Sequence, residues 1–203
     1  MTDHFALLDE PRRPWLEPEA LKQKFLTLSA QFHPDRVHHQ GESERHSAQN
    51  RYTDLNMAYH CLREPKDRLR HLLELELGAA PTEVQRIPPD LVELFMEIGP
   101  ACRQADLLLG EKDTISSPLL KVQWFQRSQD WRENLQHLRQ KLDERSDRLM
   151  EGLKRIDLEW KSGTAIPSKK AVLLNQLEDV CRLLSYFERW RKQLQERMVQ
   201  LSF

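Results

Sequence analysis

The chain has 203 residues, 39% of them hydrophobic and 31% charged, which suffices for one sizeable core or two modest ones and excludes a large multidomain enzyme. Its 31 Lys and Arg against 32 Asp and Glu leave a net charge of -1, so there is no global basic field of the kind nucleic-acid binders use. Cys61, Cys102 and Cys181 stand far apart with no CxxC pair, which predicts buried free thiols in a reducing compartment, with no metal site and no cofactor.

The opening MTDHFALLDEPRRPW is too short in apolar residues for a signal peptide. No stretch approaches the roughly 20 apolar residues of a membrane span, so a soluble, cytoplasmic chain is expected. With only 6 glycines, no alternating Val/Ile/Thr runs and long tracts of Leu, Glu, Lys, Arg and Gln, the fold class is all-α.

In chain order, the first long helix opens at Glu17-Pro18, where the missing proline N–H costs nothing, and shows the apolar stripe Leu21, Phe25, Leu28 and Phe32. Pro34 biases His33 away from helical dihedrals and ends it. After a polar loop with Gly41, a second helix carries Ala48, Tyr52, Leu55, Tyr59 and Leu62 at matching spacing, so the two form an antiparallel hairpin with Phe25, Leu28, Tyr52, Leu55 and Tyr59 as core. Pro65 starts a shorter helix through Leu69, Leu72 and Leu73. Gly78 to Pro89, with four Gly or Pro, reads as a linker.

A helix from Asp90 is expected to break at Gly99-Pro100, because proline removes a backbone donor and crowds the preceding turn. A loop from Gly110 to Ser117 follows. Ser117 then caps a long helix with Pro118 at its first position and the stripe Trp131, Leu135, Leu138, Leu142, Leu149, Leu153, Ile156 and Trp160, ending at Gly163 to Pro167. The last helix repeats the pattern with Leu173, Leu177, Val180, Leu184, Phe187, Leu194, Met198 and Leu201, which predicts a helical bundle or antiparallel coiled coil and admits a homodimer through residues 118 to 201.

The tripeptide His33-Pro34-Asp35 gains meaning from its place between two amphipathic helices, where it becomes a displayed tip suited to recognition. His38, His39 and His46 lie in a polar tract with no cysteine and no helical spacing between them, and are not read as metal ligands. No GxxxxGK[ST], HExxH or GxSxG motif occurs, so the chain is not expected to be an enzyme.

On HFALLDEPRRPWLEPEAL, KFLTLSAQFHPDR and LNMAYHCLREPKDRLRHLLEL, residues 4 to about 75 resemble a J-domain. With Leu26, Thr27 and Gln31 in place of mid-helix basic residues, no Gly/Phe-rich or cysteine-rich region, and a helical extension, they are most similar to the HscB type of iron–sulfur cluster co-chaperone. The resemblance implies a J-domain at 1–77, a linker at 78–89 and a helical client-binding domain at 90–203. It also implies that His33, Pro34, Asp35, Lys22, Lys24 and Arg36 contact an HscA- or DnaK-type chaperone ATPase, Asp35 pairing with a basic residue, and that ATP is hydrolysed on that partner. An IscU-like scaffold would dock on the first helix after the linker, through Leu91, Val92 and Phe95. A J-protein with a different client and a structural coiled-coil dimer are the alternatives.

Overall fold

A computed structural model describes residues 2–33, 41–79, 91–112, 115–163 and 166–202. Among these there are seven helices and no strand: α1 (His4–Leu7), α2 (Pro18–Gln31), α3 (Glu42–Arg63), α4 (Pro65–Leu77), α5 (Val92–Glu111), α6 (Pro118–Gly163) and α7 (Pro167–Gln200). The all-α class expected from composition is the class observed.

Local chemistry sets several ends. Asp3 caps α1 by accepting from the amides of Phe5 and Ala6 through its side chain. Prolines occupy the first position of α2 and α4, where no donor is lost. Gly41 precedes α3, and Glu44 reaches back to accept its amide at 3.2 Å. Gly78 stops α4 in the left-handed region at φ 75°, which a residue with a Cβ adopts only with strain.

The chain groups into two compact units, each drawing on separate stretches: 1–82 with 151–181, and 83–150 with 182–203. The expected linear division instead follows chain order, and most of its linker, residues 80–89, lies outside the described residues.

In the first unit, α1 and α2 pack on α3, and α4 follows α3 after one turn residue. Phe5, Leu8, Leu21, Leu55, Leu62, Leu69 and Leu72 are at most 1% exposed. Leu153, Trp160, Leu173, Leu177 and Val180 are buried in the same unit. In the second, Leu94, Ile98, Ala105 and Leu108 of α5 share one core with Trp124, Leu135, Leu138 and Leu142 of α6 and Phe187, Trp190, Leu194 and Met198 of α7. Arg191 holds Asp143 at 2.9 Å, and Arg139 bonds Gln195, so here α6 and α7 run antiparallel. Most of the heptad-like stripe residues are buried within the chain, while Trp131, Leu149 and Ile156 are half-buried.

Gly99-Pro100 does not interrupt α5, contrary to the expected break. Pro100 stands on the exposed face, where water can satisfy the carbonyl that loses its amide partner, while Ile98, Ala101, Cys102 and Ala105 are buried and hold the helix in line.

Candidate chaperone and client surfaces

The hairpin of α2 and α3 is built from small and apolar contacts. Leu21 meets the core from α2, and Ala48, Leu55, Ala58 and Leu62 meet it from α3. Phe25 and Tyr59 are half-buried rather than core, and lie stacked with centroids 4.3 Å apart and planes 10° from parallel.

α2 ends where expected, the Phe32 amide turning back to the Ser29 carbonyl at 3.1 Å. His33 follows at once, exposed, with its ring edge-on to Tyr52 of α3 at 5.8 Å. Beside it, Arg51 lies over the Phe32 ring at 6.0 Å. His33 is therefore oriented from both helices of the hairpin. Pro34, Asp35 and Arg36, and with them His38 and His39, lie outside the described residues; His46 is exposed on α3.

The two lysines of α2 differ. Lys22 is exposed, one turn from Leu26, which is 48% exposed. Lys24 instead donates to the Asp9 carbonyl and pairs with Glu10 at 3.2 Å, bracing α2 against the segment after α1. Asp9 sits at φ 53°, a left-handed turn conformation that brings its carbonyl round to this contact.

In the second unit, the residues singled out for client binding separate by helix phase. Leu91, immediately before α5, is 3% exposed and belongs to the core. Val92 and Phe95 are exposed at 48% and 43%, and Met96, which sequence reasoning passed over, at 64%. Residues 92, 95 and 96 fall on one face by the helical period, opposite Leu94, Ile98, Ala101 and Ala105. The phase of that buried stripe was the signal that could have found Met96. Flanking the patch, Glu93 pairs with Arg145 at 3.3 Å and Glu97 with Lys141 at 2.8 Å, so the nearby carboxylates are held by basic residues of α6.

In chain order the described elements are a short N-terminal helix, a helical hairpin and, further on, the long helices α6 and α7. No protein-family model matches the chain. It is similar to the co-chaperone protein HscB homologs of Paraburkholderia phymatum and Bordetella pertussis, each 39% identical over 72 residues, a match covering 36% of this chain and 41% and 42% of those proteins. The chain thus spans less than half the length of the curated relatives it matches.

In fold it is similar to the chaperone HscB from Vibrio cholerae, with a TM-score of 0.62 at 18% identity over 98% of this chain and 99% of that one. It is likewise similar to human co-chaperone HscB, with a TM-score of 0.65 at 16% identity over 96% of this chain and 81% of that one. The resemblance read from the three N-terminal motifs is therefore one of sequence over 72 residues and of fold over nearly the whole chain.

Proposed function

We propose that this chain is a J-type co-chaperone that stimulates an HscA- or DnaK-type ATPase and presents to it a client of the iron–sulfur scaffold class. The observation that carries the reading is the position of His33: exposed at the end of α2, edge-on to Tyr52, and followed in sequence by Pro34 and Asp35. The 39% identity to HscB homologs supports it.

Asp35 supplies a carboxylate for a charge-assisted hydrogen bond with a basic residue of the ATPase, strongest where the contact is partly dehydrated. Lys22 and Arg36 add rim charge that steers association. Lys24, engaged with Glu10, acts chiefly by holding α2 in place. On the second unit, Val92, Phe95 and Met96 present an apolar patch for a scaffold protein. Both domain roles, chaperone engagement by residues 1–77 and client binding by 90–203, belong to this proposal.

Single-turnover ATP hydrolysis by purified HscA or DnaK is the test. Wild-type chain accelerates hydrolysis, and His33→Gln does not while retaining the same helical signal. Indifference of both chaperones to the wild type sinks the co-chaperone reading. Stimulation without binding to an IscU-like scaffold keeps the J-domain and assigns it another client.

A further inference from the structure

Three potential metal ligands, dispersed in the sequence, meet in the first unit. His4 opens α1, Cys61 stands near the end of α3 and His71 lies in α4, and one ligand atom from each falls within 4.8 Å of the others. The two histidines are 67 positions apart, yet their rings approach to 4.4 Å between centroids. Phe5 stacks on His71 with ring centroids 5.8 Å apart. His71 is buried, while His4 and Cys61 are half-buried.

One polar atom of the cluster is unsatisfied: His4 Nδ1 is buried with no hydrogen-bond partner. The Cys61 thiol donates to the Asp67 carbonyl at 3.6 Å. A buried ring nitrogen without a partner is uncommon in a settled core and marks a place where a bound ion would repay its desolvation.

We propose that His4, Cys61 and His71 form a binding site for one borderline-soft divalent cation of the zinc class. Two imidazoles and a thiolate are a zinc and cobalt ligand set, and three protein ligands leave a fourth, tetrahedral position for water. Bonds of about 2.0–2.3 Å place ligand atoms roughly 3.3–3.8 Å apart around such an ion, so the observed cluster needs a modest contraction.

His71 Nε2 now accepts the His4 amide at 3.0 Å. A cation on Nε2 replaces that bond, and one on Nδ1 inverts the tautomer. Either way, binding exchanges a hydrogen bond between α1 and α4 for a coordination link between them. The Cys61 thiol gives its proton to solvent as the sulfur–metal bond forms, so one proton leaves per ion.

The site was hidden in the sequence because its ligands come from three helices rather than from one close-spaced motif. The test is cobalt titration of the untagged full-length chain. One equivalent produces a thiolate-to-cobalt charge-transfer band in the near ultraviolet together with tetrahedral visible bands, and zinc discharges both. Cys61→Ser and His4→Gln lose the charge-transfer band while keeping the wild-type helical signal, and Cys102→Ser keeps it. Absence of the band in the wild type, or its survival in Cys61→Ser, overturns the proposal. So do visible bands without charge transfer, which show an ion held without the thiolate.

Discussion

Asp157 of α6, a carboxylate only 4% exposed, is gripped by the guanidinium of Arg13, which donates to one oxygen through Nε at 3.0 Å and to the other through a terminal nitrogen. The Trp15 amide adds a third donor at 3.3 Å. Around this pair Trp160 donates to the Arg12 carbonyl at 3.0 Å, and Lys154 sits over the Trp15 ring at 4.6 Å. The segment between α1 and α2 is thereby fastened to the end of α6, within the first unit.

Removing one partner of a buried pair strands the other. Asp157→Ala leaves Arg13 and the Trp15 amide without an acceptor and costs about 3 kcal/mol, the lower part of the usual range because Arg13 is 26% exposed. Urea unfolding followed by circular dichroism measures it. A loss under about 1 kcal/mol would show that solvent replaces the carboxylate and that the fastening is dispensable.

Pro100 is tolerated in α5 rather than favoured. Pro100→Ala restores the amide and adds a better helix former, so the second unit is expected to gain about 1–2 kcal/mol after the unfolded chain's added freedom is subtracted. A fall in the denaturation midpoint would mean that the proline ring makes a contact the helix needs.

The client patch and the core beside it separate by mutation. Phe95→Ser with Met96→Ser, both exposed, changes stability by less than about 1 kcal/mol and weakens scaffold binding about tenfold or more in titration calorimetry. Leu91→Ala, buried in the core, instead costs about 3 kcal/mol of stability. Unchanged scaffold affinity in the double variant would move the client surface elsewhere.

Acid sensitivity resides partly in His4 and His71. Burial depresses both pKa values, and for His71 the neighbouring His4 adds to this, so the unfolded chain takes up protons first as pH falls through about 6.5. Their contribution is flat above that value and turns destabilising below it. With chelator present, the denaturation midpoint of wild type is expected to drop more between pH 7 and pH 5 than that of His71→Gln. Equal drops would show that other groups govern the acid limb.

The helices and most of their ends were legible because they rest on local rules. Pro18, Pro65 and Pro118 sit at first helical positions, the stripes of α6 and α7 recur at core spacing, and α2 ends just before His33. The J-domain resemblance rested on contiguous motifs for the same reason. Phase within α5 was only partly readable: Gly99-Pro100 looked like a break, and Leu91 could not be told from Val92 until the core beneath them fixed which way the helix faced.

By itself the sequence determined the helical class, the hairpin of α2 and α3 and the end of α2 just before His33, since periodicity, proline placement and turn chemistry act over a few residues. Tertiary structure alone decided that residues 151–181 share a compact unit with the N-terminal helices, that Arg13 meets Asp157 across 144 positions, and that His4, Cys61 and His71 converge. Those outcomes depend on which faces of separate helices bury against one another, a choice made by packing and by the pairing of buried polar groups, and no local spacing encodes it.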